Sequence, residues 1–167
     1  STYAQSTPGG HQGYEYSRTH NPTRTALEAA LASIEGGTHG FCFGSGMAAI
    51  DAVIKLLSPG DEVISTNDLY GGSYRIFTKI FEDFGIGFHF VDMQDPANVA
   101  AKIHAKTKLI WVETPTNPMM NVVDIEAMHK LVADKDILLA VDNTFASPYL
   151  QQPLTMGADI VMHSATK

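Results

Sequence analysis

The residues that could do chemistry stand where short apolar runs stop. Asp159-Ile160-Val161-Met162-His163-Ser164-Ala165-Thr166-Lys167 runs from a strand into two hydroxyls and a lysine. Ser164 and Thr166, two apart in extended chain, point to one side and can donate jointly to one anion. A lysine directly after a buried strand is placed to react rather than to decorate a surface. A second run, Ile137-Leu138-Leu139-Ala140-Val141, ends in Asp142-Asn143-Thr144. A carboxylate there needs a partner: a helix cap, an ion pair, or a heterocyclic nitrogen that it keeps protonated. A third, Leu109-Ile110-Trp111-Val112, ends in Glu113-Thr114-Pro115-Thr116-Asn117-Pro118, a proline-fixed turn presenting polar side chains. After Phe41-Cys42-Phe43 comes Gly44-Ser45-Gly46-Met47-Ala48-Ala49, where small residues let backbone amides approach an anion at a helix start. The same glycines could serve packing alone. No Gly-Lys-Ser/Thr follows, so this is not a P-loop.

The spacing of the apolar runs predicts the elements that must position these groups. Asn21-Pro22 opens a helix with Leu27, Ala30, Leu31 and Ile34 at helical period, and Gly36-Gly37 ends it. Strands are expected near 41–43, 62–65, 88–92, 108–113, 137–142 and 159–162. Helical patterns lie between them: Met47, Ile50, Ile54, Leu57; Phe77, Ile80, Phe81, Phe84; and Ile125, Met128, Val132, with a weaker one over 96–105. Strands separated by amphipathic helices imply right-handed crossovers and a mainly parallel sheet covered on both faces. The fold class expected is α/β, a three-layer α/β/α sandwich. Residues 1–20, polar and without period, read as an extended arm; residues 21–167 form one domain. Trp111 and Cys42 fall on strands and are expected in the core.

Composition narrows the function further. The chain has 167 residues, 44% hydrophobic and 17% charged, with a net charge of −7 and scattered basic residues. That argues against a nucleic-acid surface, which needs a basic stripe. No apolar run approaches the roughly 20 residues that span a bilayer. The single Cys42 excludes an internal disulfide and favours a reducing, cytoplasmic compartment. The seven histidines show no metal-ligand spacing, so no metal is expected, and His163 reads as a packing or loop residue. Met119-Met120 either line a cleft or pack. The chain starts at Ser1 and stops at Lys167, and it reads as a piece of something longer.

Together, an anion cradle, an acid for a ring nitrogen, a stacking aromatic and a lysine for an aldehyde are what pyridoxal phosphate needs. Tyr70, in Asp68-Leu69-Tyr70-Gly71-Gly72-Ser73-Tyr74, can supply the aromatic. A dinucleotide-binding domain is the rival, but it calls for a third glycine where this chain runs Met47-Ala48-Ala49 after Gly46. A non-catalytic binding protein has no need of Lys167 with Asp142.

Six ordered motifs carry a resemblance over essentially the whole chain: Tyr16-Ser17-Arg18 with Asn21-Pro22-Thr23, Ser45-Gly46-Met47, Tyr70-Gly71-Gly72, Glu113 through Pro118, Val141-Asp142-Asn143-Thr144, and Ser164-Ala165-Thr166-Lys167. On these the sequence resembles the Cys/Met-metabolism family of fold-type I pyridoxal phosphate enzymes, which includes cystathionine γ-lyases, γ-synthases and β-lyases and methionine γ-lyases. The resemblance implies that Lys167 carries the cofactor as a Schiff base and moves protons. It implies that Asp142 pairs with the pyridinium nitrogen and that Tyr70 stacks on the ring and acts in acid–base steps. Gly46, Met47, Ser164 and Thr166 would bind the phosphate; Asn117 and Thr144 would contact the ring or substrate side. Tyr16 and Arg18 would reach the phosphate in a neighbouring subunit, making the active site a property of a homo-oligomer, a dimer of dimers. Arg75 is a possible substrate contact. Methionine γ-lyases typically carry Cys where this chain has Gly72, which lowers that reading. Tyr70-Gly71-Gly72-Ser73 and the arm from Pro8 to Tyr16 resemble γ-lyases and γ-synthases, so cystathionine γ-lyase is favoured, with γ-synthase next. The substrate-carboxylate arginine would lie beyond Lys167.

Overall fold

The computed structural model describes all residues from Ser1 to Lys167, in two compact units, Ser1–Cys42 and Phe43–Lys167. In the first, β1 (Gln5–Thr7) pairs antiparallel with β2 (Gly10–His11) across a turn in which Gly9 takes a φ of 77°, a conformation that glycine adopts without steric cost. Thr2 bridges to Tyr16. The segment expected as a plain extended arm therefore folds back on itself in part. Helix α1 (Pro22–Glu35) follows. Asn21 caps it by accepting from the Arg24 amide, Pro22 occupies the first turn, and Gly36 closes it with a φ of 71°.

The second unit alternates helix and strand: α2 (Gly46–Ile54), β3 (Glu62–Thr66), α3 (Gly71–Ile76), β4 (Gly87–Val91), α4 (Pro96–Ala100), β5 (Thr107–Glu113), α5 (Ile125–Val132), β6 (Leu138–Asp142), α6 (Ser147–Leu150) and β7 (Ile160–Met162). Five strands form one sheet in the order β4-β3-β5-β6-β7, and every pairing is parallel. Alternation along each strand splits the core in two. On one face Ile64, Ile110, Val112, Leu139 and Val141 pack with Val99 of α4 and Ile125, Met128 and Val132 of α5. On the other, Val63, Leu109, Trp111 and Ala140 pack with Ile50 and Ile54 of α2 and with Phe77 and Phe81. This is the three-layer sandwich, its strands buried on both faces. Helix α3 runs on into a wide π-helical turn, Phe77–Phe81, that keeps Phe77 and Phe81 on the sheet.

Phe41–Phe43 corrects the expectation of a strand there. The segment has no strand partner, Phe41 is 74% exposed, and the Cys42 amide is taken by the Glu28 carboxylate, 2.9 Å away. Cys42 is half-buried rather than core, whereas Trp111 is fully buried. Three apolar residues between glycines satisfy a strand pattern but not the requirement for a ladder. No helix is long and apolar enough to cross a membrane.

Candidate active site

In parallel sheets of this kind ligands gather beyond the carboxyl ends of the strands. A cavity of about 190 Å³ lies there, with Gly46, Met47, Tyr70, Glu113, Asp142 and Lys167 in its wall. Asn117, Thr144, Ser164 and Thr166 also line it, over a floor of Ile50 and Met162. The structure thus assembles nine of the sequence-predicted residues around one space.

One wall is built for an anion. Ser45 caps α2 through its side chain, accepting from the Ala48 amide at 3.1 Å. The first-turn amides of Gly46 and Met47 have no intrahelical acceptor, and the helix start adds partial positive charge. An ideal Cβ on Gly46 would lie 2.9 Å from both Cβ and Oγ of Ser164, so only glycine lets the helix start and the chain after β7 approach this closely. Ser164 Oγ and Thr166 Oγ1 stand 3.3 Å apart, and Lys167 Nζ donates to Thr166 Oγ1 at 3.3 Å. Thr144 fixes that chain by accepting from the Ser164 amide at 2.9 Å.

The opposite wall carries two carboxyl groups. β5 and β6 pair so that Glu113 and Asp142 sit side by side in register. Burial pushes the Asp142 carboxyl above its ordinary range, opposed by hydrogen bonds from Thr144 and by the charges of His163 and Lys167. The Thr144 amide donates to Asp142 Oδ1 at 3.0 Å. Burial raises Glu113 further, to about 8, with the nearby Asp142 adding to the effect. Hydrogen bonds from the Tyr70 and Asn117 amides work in the other direction, the first at 2.9 Å to Oε2. Glu113 was part of a recognised motif without a role. Its signal, a carboxylate closing an apolar strand, is the one that singled out Asp142.

Loops complete the frame. Asp68 accepts from Thr116 Oγ1 and, at 3.0 Å, from the Met119 amide, tying the proline-rich turn to the segment before Tyr70. Thr114-Pro115 and Asn117-Pro118 are cis. The Tyr70 ring lies over Gly72, where a Cβ would stand 2.9 Å from both ring Cζ and Met47 Sδ.

Three predicted residues remain, one in the second unit and two in the first. Arg75 is exposed in the last turn of α3 and is not among the lining residues. In the first unit Arg18 donates to the Tyr16 hydroxyl at 2.9 Å, its guanidinium 5.4 Å from the ring centre. The expectation that no histidines cluster is also corrected. His89 and His104 both meet Glu62 at the opposite end of the sheet.

Pyridoxal phosphate fits these residues. The glycine-walled helix start and hydroxyl pair suit its phosphate, the desolvated Asp142 suits a ring nitrogen, and Lys167 opens onto the same space as its aldehyde would. Comparison with known proteins agrees. A sequence profile described as Cys/Met metabolism PLP-dependent enzyme matches residues 1–167. The chain is 53% identical over its whole length to a cystathionine gamma-lyase of Bacillus subtilis, covering 44% of that protein. It is 51% identical to a cystathionine beta-lyase of Coxiella burnetii, covering all of this chain and 43% of that one. The crystal structure of cystathionine gamma-lyase from Lactobacillus plantarum complexed with L-serine superposes over 99% of the chain and 43% of its own length, at a TM-score of 0.95 and 51% identity. The chain spans less than half of these relatives, and it belongs to the Cys/Met metabolism family of pyridoxal phosphate-dependent enzymes.

Proposed function

We propose that the protein containing this chain is a carbon–sulfur lyase that eliminates cysteine from cystathionine at the γ-carbon. The observation that carries the reading is the convergence of Lys167, Asp142, Tyr70 and the Gly46–Ser164 cradle on one cavity. When bound there, pyridoxal phosphate supplies an electron sink for charge developing at the substrate α-carbon. Asp142 holds the ring nitrogen protonated, a role that its low-dielectric position strengthens. Gly46, Met47, Ser164 and Thr166 hold the phosphate and so fix the ring's place. Tyr70 offers a ring face to the cofactor and a hydroxyl for proton transfer. Lys167 removes the α-proton and returns a proton on the γ side. Asn117 and Thr144 orient the ring or substrate, and Glu113 locks the Tyr70 and Asn117 backbones that present them.

The choice of substrate rests on sequence. Relatives at about 50% identity carry cystathionine in their names, γ-lyase among them. Gly72, beneath the Tyr70 ring, leaves no room for the cysteine typical of methionine γ-lyases without a shift. γ-Synthase chemistry, which uses the same residues until a second nucleophile enters, is the alternative, followed by β-elimination. Tyr16 and Arg18 contribute to a neighbouring subunit's phosphate site in a dimer of dimers. A reducing, cytoplasmic location fits the lone Cys42.

Incubating the full-length protein with cystathionine alone tests the assignment. Cysteine, ammonia and 2-oxobutanoate are expected. Pyruvate with homocysteine would establish a β-lyase instead, and turnover only with an added thiol and an activated homoserine would establish a γ-synthase.

A further inference from the structure

At the amino-terminal end of the sheet, three side chains far apart in sequence converge. Glu62 begins β3, His89 is the third residue of β4, and His104 lies in the connection between α4 and β5. Glu62 Oε2 is 2.5 Å from His89 Nε2 and 2.9 Å from His104 Nε2. The three donor atoms all lie within 4.8 Å of one another. The scaffold beneath them is fixed by main-chain bonds. β3 and β4 pair in strict register, with Ile64 opposite His89, so Glu62 and His89 project from the same face. The His104 amide donates to Thr107 Oγ1 at 3.1 Å, and the Thr107 amide returns a bond to the His104 carbonyl at 3.0 Å. The Glu62 amide is held by the Lys106 carbonyl at 2.8 Å.

Gly87, paired with Glu62 across the ladder, makes the room. A Cβ there would lie 2.8 Å from Glu62 Cγ. None of these residues has a part in the cofactor cavity, which opens at the other end of β3, about 13 Å away along a five-residue strand.

We infer that Glu62, His89 and His104 form a binding site for a divalent transition metal, zinc by preference, that pins the edge strand β4 and the α4–β5 connection to β3. Two imidazoles and a carboxylate are the ligand set that zinc accepts, and a water or a further ligand would complete a tetrahedron. Donors about a tetrahedral zinc stand roughly 3.3 Å apart. Glu62 must therefore draw back by under about 1 Å from each ring, which its rotatable side chain allows. Binding through Nε2 moves each imidazole proton to Nδ1. At His104 that gives up the weak 3.4 Å contact from the Lys106 amide, while Nδ1–H gains freedom to donate to water. The site is structural, since it lies away from the reacting groups.

The test uses the full-length, tag-free holoenzyme stripped with a chelator and titrated with zinc chloride by calorimetry. Cobalt(II) serves as the visible probe of tetrahedral geometry. One equivalent per chain is expected, together with a zinc-dependent rise in Tm. His104→Ala and His89→Ala should each weaken binding by at least about 10–100-fold. Both should leave the cofactor's visible spectrum and the turnover unchanged. Gly87→Ala, which keeps all three ligands but displaces Glu62, should weaken it in the same direction. No stoichiometric binding, or equal binding by wild type and all three variants, would overturn the assignment and leave a hydrogen-bonded cluster only.

Discussion

The two ends of the sheet treat carboxyl groups in opposite ways. At the carboxyl end, Glu113 and Asp142 lie in register and are buried, and desolvation raises both. At the amino end, Glu62 keeps more solvent and accepts from two imidazoles, and hydrogen bonding lowers it. The residue types barely differ; burial and partner decide. The buried pair is costly by itself, because two carboxyls share one low-dielectric wall. It becomes reasonable when a cation stands between the strand ends, as a protonated heterocycle would. The partly exposed cluster needs no such justification, and its geometry bears on stability rather than on chemistry.

The contrast can be broken at its strongest point first. Asp142→Asn removes the charge that the ring nitrogen needs, and breaking a buried pair costs roughly 3–5 kcal/mol, a rate or affinity loss of about 10²–10⁴-fold. Steady-state kinetics at saturating pyridoxal phosphate should show it; an unchanged kcat/KM would remove Asp142 from the cofactor.

Glu113 sharpens the comparison through pH. Its folded value, about 8, exceeds that of the unfolded chain, so the folded state retains a proton that the unfolded state has lost. Stability therefore falls as pH rises from about 4.5 to 8, by up to about 1.4 kcal/mol per unit. Denaturant titrations of the cofactor-free protein should show this slope, and Glu113→Gln should flatten it. Because Glu113 also holds the Tyr70 and Asn117 amides, the glutamine variant should keep more activity than Glu113→Ala, which leaves both unpaired. Equal losses in the two variants would contradict the positioning role.

A smaller effect is expected at the cradle. Gly46→Ala places a methyl against Ser164 and should weaken pyridoxal phosphate binding with a cost of about 1–3 kcal/mol from overpacking. Fluorescence titration of cofactor into the apoprotein measures it. Unaltered affinity would separate the cradle from the phosphate.

Much of this was legible in sequence because strand ends are. Lys167, Asp142 and the Ser164–Thr166 pair each follow an apolar run, and the parallel topology brings such ends together whatever the details of packing. Tyr70 was legible for the same reason, since it follows β3, whereas the Gly46 turn was legible as small residues at a helix start. Glu113 carried the same signal and was overlooked, since the prolines after it read as a rigid turn. Phe41–Phe43 was misread because apolar pattern marks a candidate strand without saying whether a partner exists to complete its ladder. The Glu62, His89 and His104 convergence was out of reach. It depends on the β3–β4 register and on the turn at His104–Thr107, and neither leaves a periodic trace along the chain.

The most direct test of the central claim is the visible spectrum of the full-length protein before and after borohydride, with Lys167→Ala alongside. A yellow absorption that reduction fixes covalently on the peptide carrying Lys167, and that the alanine variant lacks, is the predicted result. A protein that stays colourless with added pyridoxal phosphate, or that is labelled equally without Lys167, would contradict the account.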